Sequence, residues 1–146
     1  MPESLSSTFK NMIPNELSLV RKDPFFTSYR FKRTEDGAMC LLKTISEDNV
    51  DQRYKLQLNT EYEILQYLKD DDCVRRFLGK TEYNGNPALV LEYVEGKDLR
   101  QAYSFPMPVA DFLKIAPLVA EALGQIHQCN VIHKSIKPAN ILLEAE

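Results

Sequence analysis

Lys43 and Glu61 are the residues of this chain whose type and placement ask for chemistry. Lys43 ends the stretch Ala38-Met39-Cys40-Leu41-Leu42-Lys43 and, at strand spacing, shares a face with Met39, Leu41 and Ile45. An ammonium on that face is aimed at apolar surroundings and needs an anion. Glu61 lies three residues after Leu58 and four before Leu65, on the apolar seam of a helical pattern, and needs a cation for the same reason. Periodicity leaves two arrangements open. Either the two charges pair between strand and helix, or Lys43 snorkels from a sheet edge while Glu61 sits at the margin of the stripe. His127, Cys129 and His133 are close enough in sequence to raise a metal site, but the spacing is atypical and no fourth ligand is evident. Separate side chains are the expectation there, because isolated buried Cys and His are common.

The elements that must position these groups follow from hydrophobic period and turn residues. Residues 1–14 are polar and unpatterned, and a loose leader is expected. Strand patterns occupy residues 17–20, 28–32 and 38–45, with Glu35-Asp36-Gly37 supplying a hairpin turn between the last two. Ser46 is the candidate cap of a helix over residues 50–69, whose stripe runs Tyr54, Leu58, Leu65 and Leu68. Asn84-Gly85-Asn86 turns a further hairpin between residues 77–83 and 88–94, and Glu95-Gly96 ends it. A short helix is expected over residues 98–103, then the breaker Ser104-Phe105-Pro106-Met107-Pro108, then a long helix over residues 109–128. Phe112, Ile115, Val119, Leu123 and Ile126 form its stripe, and the interior Pro117 should free the Leu113 carbonyl and kink it.

Composition narrows the function classes. At 146 residues the chain can bury roughly two thirds of its unfolded surface as one domain. Eighteen basic against 21 acidic residues give a net charge of −3, with no basic stripe for nucleic acid or for an anionic membrane surface. No apolar run approaches the ~20 residues of a bilayer span. Met1-Pro2-Glu3-Ser4 lacks the basic start of a secretory signal, so a cytoplasmic location is expected. Cys40, Cys73 and Cys129 are odd in number and widely spaced, as reduced thiols would be.

Taken in order, residues 17–143 resemble the protein kinase family. Ala38 to Lys43 is similar to the family's V-A-I-K strand, and the resemblance makes Lys43 the residue that would hold the α- and β-phosphates of ATP. Glu61 matches the helix glutamate that pairs with that lysine, whereas Glu63 faces the other way. Leu89-Val90-Leu91-Glu92-Tyr93-Val94-Glu95-Gly96 resembles the strand and hinge that receive adenine. It implies Leu91 as gatekeeper, Glu92 and Val94 as hinge contacts, and Asp98 placed to meet ribose. Val131 to Leu143 resembles the catalytic loop H-R-D-L-K-x-x-N, with Lys137 at the phosphate-contacting lysine and Asn140 at the metal-binding asparagine. The implied fold is α+β. Residues 15–96 would form a kinase amino-terminal lobe, a five-stranded antiparallel sheet plus one helix. Residues 97–146 would form the first helices and catalytic loop of a truncated second lobe. Ile126-His127 with Val131-Ile132-His133-Lys134 is similar to the kinase-like domains at the front of large bacterial and fungal hybrid sensor kinases.

Departures from the family pattern point one way. Ser135 stands where the family has its catalytic aspartate, and a hydroxyl that is neutral at pH 7 cannot take a substrate proton as a carboxylate would. A structural role for Ser135 in the loop is the expectation. The chain stops at Glu146 before any D-F-G segment, leaving Asn140 as the one metal-binding position and Mg²⁺ binding doubtful. Arg21-Lys22-Asp23-Pro24-Phe25-Phe26-Thr27, where a glycine-rich loop belongs, has no glycine, and Pro24 removes one backbone donor. The expected function is a pseudokinase-like binding or regulatory module with at most weak ATP binding and no phosphotransfer. The alternative is a fragment of an active Ser/Thr protein kinase whose remaining lobe is absent. The spacing of Lys137-Pro138-Ala139-Asn140 sets a small-molecule phosphotransferase behind both. An apolar stripe left partly uncovered on the helix over residues 109–128 points to a protein partner or to self-association through that helix.

Overall fold

The computed structural model describes residues 13–14, 16–47, 51–68 and 71–145. Apart from Ile13 and Pro14 the expected leader lies outside them, as do the expected helix ends at residues 50 and 69. The chain divides into two compact units. One holds the described residues before Asp70 together with Arg75–Tyr93, and the other holds Asp71–Val74 together with the described part of Val94–Glu146.

The first unit contains β1 (Ser18–Lys22), β2 (Phe26–Lys32), β3 (Met39–Ile45), α1 (Gln52–Tyr67), β4 (Phe77–Tyr83) and β5 (Asn86–Glu92). The strands form one five-stranded sheet in the order β1-β2-β3-β5-β4, every neighbouring pair antiparallel. This is the sheet-plus-helix arrangement that the resemblance implied. The β4–β5 turn places Asn84 at φ 49° and Gly85 at φ 74°, the left-handed pair that matches strand twist in a two-residue hairpin.

The central strands β3 and β5 are buried on both faces, which is why they read as continuous apolar runs. On one face Phe31, Cys40, Leu42, Ala88 and Val90 cluster, with Ile13, Leu17 and Tyr29 packed against them. On the other, Leu41, Ile45, Leu89 and Leu91 meet Leu58 of α1, with Tyr62 and Leu65 alongside. Leu58 is fully buried, and truncating it to Ala costs about 2–5 kcal/mol. Ser46 does not cap this helix. Asp51 does, its Oδ1 accepting from the Arg53 N–H at 2.9 Å, because a cap must stand immediately before the first helical residue. Ser46 is instead buried and donates its hydroxyl to the Asp23 carbonyl at 2.7 Å, satisfying an otherwise unpartnered acceptor.

The second unit contains β6 (Gly96–Asp98), α2 (Leu99–Ala102), α3 (Val109–Gln128), a 3₁₀ turn (Pro138–Asn140) and β7 (Leu142–Glu144). β6 and β7 pair antiparallel, Gly96 opposite Glu144. The approach is close enough that only glycine fits, since a Cβ at Gly96 would lie 2.0 Å from the Leu143 carbonyl oxygen. α3 is helical throughout, Pro117 included, and Pro117 lies on an exposed side. Its stripe is turned inward: Ile115 and Ile126 are buried, Val119 and Leu123 half-buried. Phe112, at the margin of that stripe, is 55% exposed and joins Val109 at 73% and Leu113 at 63% in an apolar patch on the same helix. No helix of the described residues is long and apolar enough to cross a membrane.

Candidate functional site

β3 and α1 bring Lys43 and Glu61 together. Lys43 Nζ donates to both carboxylate oxygens, at 2.9 Å to Oε1 and 2.6 Å to Oε2, and lies 4.9 Å from the centre of the Phe26 ring. Of the two arrangements left open by periodicity, the ion pair is the one formed. Glu63 is exposed on another side of α1. The helix is held in this rotation from β4, where Lys80 donates to Asn59 Oδ1 at 2.7 Å and covers the Tyr62 ring at 4.9 Å. Tyr62 in turn meets Phe77 edge-on at 5.3 Å. Arg75, which periodicity did not single out, is a half-buried cation near these groups. Burial pushes its guanidinium below the usual range, while the charges of Glu92, Tyr93 and Glu61 act in the opposite direction.

The glycine-free turn between β1 and β2 closes on itself. Asp23 Oδ1 accepts from the N–H groups of Phe25 and Phe26, both at 2.9 Å, and the Asp23 N–H donates to the Phe26 carbonyl at 3.0 Å. The Phe25 ring stacks on Tyr54 of α1 at 4.7 Å, and Phe26 meets the same ring edge-on at 5.9 Å.

At the end of β5, Leu91 is buried, the Glu92 N–H donates to the Arg76 carbonyl at 2.9 Å, and Tyr93 donates to Met39 at 3.3 Å. The Val94 N–H takes part in no backbone bond among the described residues. In the second unit Asp98 is the N-cap of α2: its Oδ1 accepts from the Gln101 N–H at 2.9 Å while Gln101 Oε1 accepts from the Asp98 N–H at 3.2 Å. The loop before β7 gathers His133, Ser135 and Asn140. The Ser135 N–H donates to His133 Nδ1 at 3.2 Å, and Asn140 Nδ2 donates to the Ser135 carbonyl at 2.9 Å and to its hydroxyl at 3.2 Å. Lys134 takes a left-handed φ of 63° to make this bend, and Lys137 is exposed at the start of the 3₁₀ turn.

Each unit can be set by itself against the roles that the resemblance implies. A phosphate chain would find the Lys43 ammonium already facing Glu61 and Phe26, and the amides of the β1–β2 turn already bonded. For Mg²⁺, Asn140 can offer only its amide oxygen Oδ1, and Ser135 carries no carboxylate.

Comparison with known proteins agrees with the geometry. The model of the protein kinase domain family matches residues 25–146. A probable serine/threonine-protein kinase of Dictyostelium discoideum is 31% identical over 112 residues, which are 75% of this chain and 22% of that protein. PknF, a serine/threonine-protein kinase of Mycobacterium tuberculosis, is 31% identical over 107 residues, 70% of this chain and 22% of its own length. The crystal structure of the Mycobacterium tuberculosis PknI kinase domain superimposes with a TM-score of 0.69 at 25% identity, over 88% of this chain and 53% of that one. The chain thus spans about a fifth of these curated relatives and about half of that solved kinase domain. Because the matched region carries strands β2 to β5, the Lys43–Glu61 pair and the loop from His133 to Asn140, the chain belongs to the protein kinase family.

Proposed function

We propose that this chain is a pseudokinase-type binding and regulatory module: it transfers no phosphate, binds ATP weakly through its hinge and depends little on Mg²⁺. The observation that carries this reading is Ser135. Its exposed hydroxyl, held by Asn140, stands where a carboxylate would orient and deprotonate the attacking group, and general bases contribute roughly 10²–10⁴ in rate. Ser135 belongs to the chain whatever else the protein contains, so the reading does not depend on residues beyond Glu146. Weak binding has a defined signature, since millimolar ATP at a millimolar Kd stabilises by only about 0.4 kcal/mol. The patch of Val109, Phe112 and Leu113 on α3 is the surface offered to a protein partner or to a second copy.

The test is transfer of the γ-phosphate from ATP to a generic protein substrate by the purified chain in Mg²⁺, beside Lys43→Met. Equal background in both is the expected result, and transfer that Lys43→Met abolishes overturns the reading. The intact Lys43–Glu61 pair favours a second reading, a portion of a working Ser/Thr kinase that manages without a carboxylate at position 135. That reading requires phosphotransfer by a longer form with Ser135 unchanged.

A further inference from the structure

We infer that Asp23 and Phe26 occupy, from within the chain, the places that nucleotide phosphates would take, so that the kinase-type lysine is closed to its usual ligand. The inference rests on the reading of the chain as a nucleotide-type module and specifies what sets its ligand preference. Residues 23–26 have three backbone N–H groups, because Pro24 has none. The Asp23 N–H reaches the Phe26 carbonyl, and those of Phe25 and Phe26 converge on Asp23 Oδ1. No amide is left to face an anion, and a carboxylate already occupies the position to which two of them point.

The turn is fixed at both ends. At its base Ser46 donates its hydroxyl to the Asp23 carbonyl and its N–H to the Phe25 carbonyl at 2.9 Å. The single Ser46 proton being used, Thr27 donates to Ser46 Oγ at 2.8 Å, and both hydroxyl residues are buried. At its tip the Phe25 and Phe26 rings hold Tyr54 of α1. Phe26 also covers Lys43, whose ammonium has three protons: two reach Glu61 and the third side meets the ring. Two carboxylates, those of Asp23 and Glu61, with the Phe26 carbonyl and ring therefore engage, inside the first unit, the donors that a phosphate cradle would turn toward its ligand.

The experiment compares adenosine, ATP without Mg²⁺ and tripolyphosphate as probes. Binding to the wild-type chain, to Asp23→Gly and to Asp23→Gly/Phe26→Gly is followed by calorimetry and by the Phe25 and Phe26 amide resonances. The wild type should bind ATP no more tightly than adenosine and show no response of these amides to tripolyphosphate. Either variant should favour ATP over adenosine by about tenfold or more and shift those amides with tripolyphosphate. If the glycine variants do not fold, Asp23→Ser, which keeps a neutral acceptor in the turn, should move the ratio in the same direction. A wild type that already favours ATP by that factor, or folded variants that leave tripolyphosphate without effect, overturns the inference. Adenosine that binds none of the proteins counts against the hinge reading alone, since tripolyphosphate still decides the turn.

Discussion

Replacing Lys43 by Met should destabilise this chain, because the lysine joins β3 to α1 through Glu61 and lies against the Phe26 ring. Its contacts with Glu61 are two-pronged, at 2.6 and 2.9 Å, and the two side chains are 24% and 30% exposed. Unit charges ~4 Å apart attract by about 4 kcal/mol at an effective dielectric constant near 20. Pairs fully exposed to water deliver roughly 0.2–1 kcal/mol, and removing one partner of a buried pair costs about 3–5 kcal/mol. Partial exposure puts the Lys43–Glu61 coupling between these limits, at about 1–2 kcal/mol after screening. The Phe26 ring adds about 0.5–1 kcal/mol that belongs to Lys43 alone. A double-mutant cycle of Lys43→Met, Glu61→Gln and the double variant, by urea unfolding with tyrosine fluorescence, isolates the first quantity from the second. For a chain of this size the coupling corresponds to about 3–8 °C in Tm, falling as salt is raised. A coupling below about 0.3 kcal/mol, or a Lys43→Met variant more stable than wild type, refutes the argument.

Three further outcomes follow from particular contacts. Gly96→Ala places a Cβ 2.0 Å from the Leu143 carbonyl oxygen, so β6 and β7 must part at a cost of about 1–3 kcal/mol. Faster hydrogen exchange at Ala145, whose N–H donates to the Glu95 carbonyl, reports it. On α3, completing the burial of Val109, Phe112 and Leu113 gains about 3–6 kcal/mol gross against association costs of roughly 4–15 kcal/mol, so self-association should be weak and visible only in concentrated solution. Sedimentation of wild type beside Leu113→Glu decides, and a wild type that stays monomeric at high concentration defeats it. The Asp36 carboxyl is held at about 2, first by the Arg33 side chain and then by the Ala38 N–H. Because this folded value is lowered from the ordinary 3.8, its contribution is present above that value and is lost as pH falls from it through about 2. The β2–β3 turn should loosen over that interval, and an Asp36 carboxyl resonance titrating near its ordinary value would contradict the contact.

How far the sequence could be read depended on whether a residue's role was local. The turn at Asn84-Gly85 and the stripe through Leu58, Glu61 and Leu65 were legible because backbone conformation and helical period are nearest-neighbour properties. For Lys43 with Glu61 the sequence alone allows two arrangements, because a contact between residues 18 apart in sequence is settled only by how strand and helix meet. Ser46 resembled a cap because a serine before an apolar-periodic stretch is a start signal, yet α1 begins at Gln52 and Asp51 satisfies it. Asp98 shows the reverse overlap: an aspartate that the resemblance sets near ribose also carries the ordinary N-cap signal, and the structure uses it as a cap. Asp23 carries a local signal for its role, since an aspartate before proline favours side-chain bonds to the amides that follow. Phe26 and Arg75 gave none, because their partners come from separate elements.

Which parts of the kinase pattern this chain retains follows from what each residue supports in the fold. Lys43 and Glu61 are half-buried opposite charges, and loss of either leaves the other unpaired in partly apolar surroundings. Gly96 is required by the 2.0 Å approach of Leu143, and Asp98 by the start of α2. Each of these positions has a stability consequence that needs no nucleotide. Ser135 differs: it is exposed, and one of the two Asn140 contacts is to its backbone carbonyl, which any residue there would supply. The turn between β1 and β2 likewise replaces ligand contacts with its own, through Asp23. An intact lysine–glutamate pair is therefore weak evidence for phosphotransfer, because the fold alone accounts for it. The identity of the residue at position 135 and the state of the turn amides are the stronger evidence, because only the reaction would constrain them.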